Sequence, residues 1–172
     1  AIIDRNKNKP IGTLGFGGSR ESVAEFTWIK SDKLIFQLHV VNAWSEEPIW
    51  NGELFTANAD GTGMRSIYGY RAGEQQTGTR IKKAESTFGS GYLLSELPGD
   101  PENVLITSVP WSESGDATTE VLSVNLRSGR ARKMIGSPIG DARFFASANG
   151  QIRFAVTVDR DAIQQVYSYE PE

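Results

Sequence analysis

Cysteine is absent from this chain of 172 residues, which excludes disulfides, thiolate nucleophiles and zinc–sulfur centres. Histidine occurs once, as His39, inside the apolar run 34–41. A Ser-His-Asp constellation needs its histidine beside a nucleophile and a carboxylate, and the setting of His39 reads instead as structural. No apolar run approaches the roughly 20 residues of a membrane span. The opening AIIDRNKNKPIG has too short an apolar stretch for a signal peptide. A net charge of −3 supplies no broad basic field for nucleic acid or anionic lipid. The expectation is therefore no metal, no cofactor, no nucleic-acid partner and no membrane partner. The lack of cysteine fits the cytoplasm and does not exclude the periplasm. At 38% hydrophobic and 23% charged, the composition is that of a globular domain with a core.

Helical pattern is scarce as well. Val23, Phe26 and Trp28 could form one helical turn, but no stripe of period 3.6 follows. Short β-branched or aromatic segments stand between Gly, Asn, Asp and Pro. Residues 34–41 and 104–109 read as buried strands. Residues 152–158 alternate, with Arg153 and Thr157 expected to face outward. The chain reads as all-β.

The strands recur as a unit. ELFTANADGTGMRSI (53–67) and EVLSVNLRSGRARKMI (120–135) both open with Glu, rise through apolar residues to Asn58 or Asn125, turn at glycine and descend through basic residues to Ile. AIIDRNKNKPIGTL has the same shape, with Asp4 at the Asn position, and QVYSYEPE matches the rising half alone. A further strand pair precedes each later hairpin: 26–29 with 34–40, 92–95 with 104–109, and 143–146 with 152–158. Four antiparallel strands repeated at this length make a β-propeller blade. The expected fold is a partial β-propeller with two complete blades, 22–68 and 92–136. Partial blades are expected at both ends, 1–14 and 143–172, and an inserted loop at 69–91 with a short strand near Ile81. Propellers close with about 4–8 blades, so the chain is expected to be a piece of a longer protein. Raw sheet edges invite pairing, and a homo-oligomer through those edges is expected.

Several motifs have a chemical and a structural reading. Asn58-Ala59-Asp60-Gly61-Thr62-Gly63 looks like a calcium loop, but the twelfth position, where a bidentate Glu belongs, is Gly69. The matching turn has Arg127 in place of Asp60, so the shared role is strand reversal. GTLGFGG (12–18) lacks the strand-and-helix context of a dinucleotide fingerprint. Arg127, Arg130, Arg132 and Lys133 fit a charged outer strand that discourages aggregation. No G-x-S-x-G nucleophile elbow occurs.

FTWIKSDKLIFQL, GELFTANADGTGMRSI, LLSELPGDPENVLITSV, EVLSVNLRSGRARKM and FFASANGQIRFAV together resemble the N-terminal propeller of prolyl oligopeptidase (S9) serine peptidases, nearest to dipeptidyl-aminopeptidase and acylaminoacyl-peptidase-like members. LPGDPENVLI followed by VNLRSGR is the most specific part, since single blade motifs also occur in TolB-like propellers. The resemblance implies a C-terminal α/β-hydrolase domain as partner, a peptide substrate, and a propeller that gates access without catalysing. No residue of this chain is expected to be catalytic. In the dipeptidyl-peptidase branch a loop Glu pair grips the substrate's free amino terminus. The resemblance gives that role to Glu46 and Glu47, with Trp44 and Trp50 flanking them; Pro48 directly after the pair departs from that branch.

Overall fold

Turn-separated β-branched and aromatic segments become antiparallel strands. The computed structural model describes residues 1–15, 20–42, 44, 47–73, 86–112 and 117–170. A hairpin of β1 (Ile2–Asp4) and β2 (Lys9–Gly12) comes first. The first sheet holds β3 (Glu21–Ile29), β4 (Lys33–Val40), β6 (Leu54–Asn58) and β7 (Arg65–Tyr68) in that order, with the short β5 (Ile49–Trp50) also paired to β4. A single 3-10 turn follows at Tyr70–Gly73. The middle sheet runs β8 (Gly89–Ser95), β9 (Asn103–Pro110), β10 (Thr118–Asn125) and β11 (Ala131–Gly140). The last sheet is β12 (Arg143–Ala146), β13 (Ile152–Val158) and β14 (Gln164–Ser168). The chain is thus all-β and antiparallel, and its sheets do not close into a barrel or ring among the described residues. The strand expected near Ile81 lies outside those residues.

Val23, Phe26 and Trp28 sit in β3, opposite Leu38, Phe36 and Leu34. The register slips between Val23 and Phe26. That β-bulge inserts an extra residue and keeps all three side chains on one face. Their helix-like spacing is a bulge in a strand.

Three apolar clusters join the elements. Ile35, Leu54, Ile67 and Tyr68 of the first sheet meet Val104, Ile106, Leu122 and Val124 of the middle sheet. Leu34, Phe36, Leu38 and Phe55, from the other face of the first sheet, meet Ile2 and Leu14 near the first hairpin. Leu105 and Val121 of the middle sheet meet Ala142, Phe144 and Ala155 of the last. β9 alternates its partners, Val104 and Ile106 one way and Leu105 the other. Its apolar run is therefore continuous, as expected of a strand covered on both faces. Each fully buried Ile or Leu side chain contributes about 1.5–3 kcal/mol.

The last sheet reverses one expectation. Thr157 faces inward, 3% exposed, and its Oγ1 donates to the Gly140 carbonyl at 3.0 Å. Phe154 and Val158 take the outward face instead, 38% and 60% exposed. Phe144 pairs with Ala155 across the strands, and both pack with Leu105 and Val121 of the middle sheet, so the face that Thr157 shares with Ala155 is the covered one. Arg153 is exposed, as its charge requires.

Candidate functional site

Of the four residues carried over from the peptidase resemblance, Glu46 lies outside the described residues. Trp44 is 97% exposed, and Glu47, three residues on, is exposed as well. Trp50 is placed differently. It lies opposite His39 in register, and its ring meets Tyr92 of β8 edge-on, with centroids 4.8 Å apart. Its Nε1 is buried and has no hydrogen-bond partner. Trp50 thus packs across the boundary between the first and middle sheets, while Trp44 stands in solvent.

A charged cluster lies close by in sequence. Glu53 precedes β6 and is 3% exposed. Its Oε1 accepts the Arg71 backbone N–H at 2.8 Å. Its Oε2 accepts Arg71 Nε and Asn51 Nδ2, each at 2.6 Å. Arg71 Nη1 reaches Glu21 Oε1 at 2.6 Å, and the guanidinium lies 5.0 Å from the centre of the Phe55 ring. Nη2 is also 2.6 Å from Glu53 Oε2, but off-axis for a directed hydrogen bond. Burial pulls the Arg71 pKa down; hydrogen bonds and charge from Glu53 and Glu21 more than reverse this, so it ends above the ordinary arginine value. A carboxylate holding three donors beside a permanent cation is a clamp and not a free acid or base. It ties the turn after β7 back to the first sheet. Glu53 was visible in the sequence only as the partner of Glu120 in the repeat. Arg71 carried no signal, because it sits in the insertion.

The outer turns answer the calcium question. Asp60 Oδ1 accepts the Thr62 N–H at 2.8 Å and the Thr62 hydroxyl at 2.6 Å. The Thr62 hydroxyl bond, then its backbone bond, holds the Asp60 carboxyl below the usual range. Asn125 Oδ1 does the same work in the next repeat, accepting from the N–H groups of Arg127 and Ser128. These oxygens are occupied by their own turns. Among the described residues no group of three His, Asp or Glu could hold a metal ion.

The basic residues are spread over separate contacts. Lys133 pairs with Glu120, and Arg65 donates to the Arg127 carbonyl. Lys30 has a positive φ of 54° and sends its ammonium to the carbonyls of Glu96, Leu97 and Asp100, crossing from the first sheet to the middle one. Leu97 also has a positive φ, 51°, and its side chain lies against Gly150 in the last sheet. One device therefore recurs: a positive-φ residue in the turn after the first strand of a sheet reaches the corresponding turn of the next.

The fold defines an all-β chain of successive antiparallel sheets. No protein-family model matches it, and no curated protein or solved structure matches it.

Proposed function

We propose that the chain is part of a β-propeller domain of a prolyl oligopeptidase-type serine peptidase, and that it gates peptide access to an α/β-hydrolase domain. One observation carries the proposal. Two successive antiparallel sheets share a core and the same path of four strands, to which the first adds the short β5, and each reverses between its last two strands at a turn closed by the backbone of an Asn, Asn58 or Asn125. Four-stranded sheets arranged radially are the propeller design. The mechanism is steric: loops at the sheet ends admit short peptides and exclude folded chains. Glu46 and Glu47 hold the peptide's amino terminus through charge-assisted hydrogen bonds. The test uses the full-length gene product, which should carry a G-x-S-x-G serine that a fluorophosphonate probe labels. Replacing both Glu46 and Glu47 with Gln should raise KM about tenfold or more for peptides with free amino termini. It should leave N-acetylated peptides unaffected. An unchanged KM removes the amine-binding role, and a gene lacking the serine motif removes the peptidase reading.

A second reading is a TolB-like propeller module that docks a protein partner and accompanies no enzyme. Trp44, Phe88 and Trp111 favour it, at 97%, 60% and 56% exposure. Exposed aromatics of this kind are enriched at protein interfaces. A gene that ends after further sheets, without a hydrolase region, supports this reading over the first.

A further inference from the structure

A cleft of about 680 Å³ opens between the middle and last sheets. Its size is that of an ordinary ligand site. Consecutive residues 141–146 line it, and so do 92–94. Alternate side chains of a strand point to opposite faces, so an unbroken run of lining residues means that the cleft meets strand edges. β8 and β12 are each the end strand of their sheet, with no strand partner on that side among the described residues. The cleft is therefore bordered by main-chain N–H and C=O groups that no ladder uses.

The side chains specify what those edges could take. Leu105 and Val121 face the last sheet, so Thr107 and Thr119, two residues along their strands, face it too. Both line the cleft, together with Tyr92, Ala142 and Phe144. Thr119 is 1% exposed, and its Oγ1 has no hydrogen-bond partner. A buried hydroxyl left in that state is destabilising until it finds a partner. Arg143 also borders the cleft, but Phe144 faces the middle sheet, so Arg143 points the other way; its guanidinium lies 5.2 Å from the Phe145 ring centre. Asp141 is the only other charged residue of the lining. Apart from the exposed Asp141, the lining thus offers neutral hydrogen-bonding groups, a free strand edge and apolar walls.

We infer that this cleft binds an uncharged peptide backbone in extended form, which adds as a strand to the free edge of β12 and satisfies the Thr119 hydroxyl. Main-chain hydrogen bonds supply the affinity, as in strand addition elsewhere, and Phe144 and Ala142 form the wall for one side-chain row. The inference does not rest on the peptidase reading; it holds equally for a module without an enzyme.

The probe is the blocked peptide acetyl-Val-Thr-Val-Ala-amide, titrated into the isotope-labelled chain and followed by NMR. The amide signals of residues 143–146 and the Thr119 methyl should move together along one saturating curve. The same peptide N-methylated at alternate nitrogens should bind at least about tenfold more weakly, since it cannot pair with an edge. Thr119→Val should weaken the unmodified peptide about threefold to tenfold, while leaving or raising Tm without peptide, because it removes an unpaired buried hydroxyl. The inference is overturned if no signal moves by about 5 mM peptide. It is equally overturned if the N-methylated peptide binds as well as the unmodified one. Should Thr119→Val fail to fold, the comparison of the two peptides on the unaltered chain still decides.

Discussion

Tyr68 shows how a single polar atom can link two sheets. The residue is 3% exposed at the end of β7, and its hydroxyl lies 2.6 Å from Ser108 Oγ on β9. Burial raises the phenol's pKa above its ordinary value of 10.0; the Ser108 hydrogen bond offsets part of the rise, and the charge of Glu120 adds to it. The consequence for stability has a definite sign. Above about pH 10 the unfolded chain loses this proton while the folded chain keeps it, so stability falls as pH rises through that range. Tyr68→Phe should flatten that alkaline limb, at a cost near neutral pH of about 1 kcal/mol for the lost hydrogen bond. Urea unfolding across pH 8–11, compared between the two proteins, measures both effects. An equally steep alkaline limb in the variant would assign it to another group. The acid side works in reverse. Asp60, Asp100 and Asp159 are each held below the ordinary carboxylate pKa, chiefly by side-chain hydrogen bonds to Thr62 and Asn103 for the first two and by the Ile163 N–H for Asp159. Their contribution is complete above the ordinary carboxylate pKa and is lost as pH falls through the lowered one.

At the scale of elements, the first hairpin depends on one close approach. A Cβ on Gly12 of β2 would lie 2.2 Å from the Asp60 carbonyl oxygen, and one on Gly61 would lie 2.8 Å from that of Thr13. The two glycines let β2 and the 58–63 turn pass main chain to main chain. Gly12→Ala meets backbone, which cannot swing aside, and should cost about 1–3 kcal/mol while loosening Ile2 and Leu14 from their cluster. Gly15→Ala is the control, since nothing lies within 4 Å of its added carbon. Equal denaturation midpoints for the two variants would mean that the hairpin is not held at that contact. What could be read from the sequence follows the same physics. Asn58 and Asn125 announced their turns because strand reversal has few chemical solutions. The run around Ile106 announced a strand covered on both faces. β3 was harder, because a bulge spaces its apolar residues as a helix would. Thr157 misled, because alternation fixes which residues share a face but not which face packs; Phe144, in another strand, decided that. The Glu53–Arg71 clamp was invisible for a similar reason, since its halves come from a strand entry and an insertion whose contact only the tertiary fold creates.

For the whole molecule, the three clusters imply unequal local stability. The middle sheet is covered on both faces, by the first sheet through Val104 and Ile106 and by the last through Leu105 and Val121. The last sheet is covered on one face only; Phe154, Val158 and Val166 stand 38%, 60% and 64% exposed on the other. Opening the last sheet breaks one cluster, whereas opening the middle sheet breaks two. Amide exchange should therefore be slowest in β9 and β10 and faster in β12–β14, since protection follows the cooperative unit that must open. Ile106→Ala removes a fully buried side chain from the cluster shared by the first and middle sheets. It should cost about 2–5 kcal/mol and speed exchange in both sheets, because neither keeps its facing surface. The alternative pattern is specific: if β13 amides exchange as slowly as those of β9, the outward face of Phe154 and Val158 must be covered in solution, and the chain's mass by light scattering identifies a second copy as the cover.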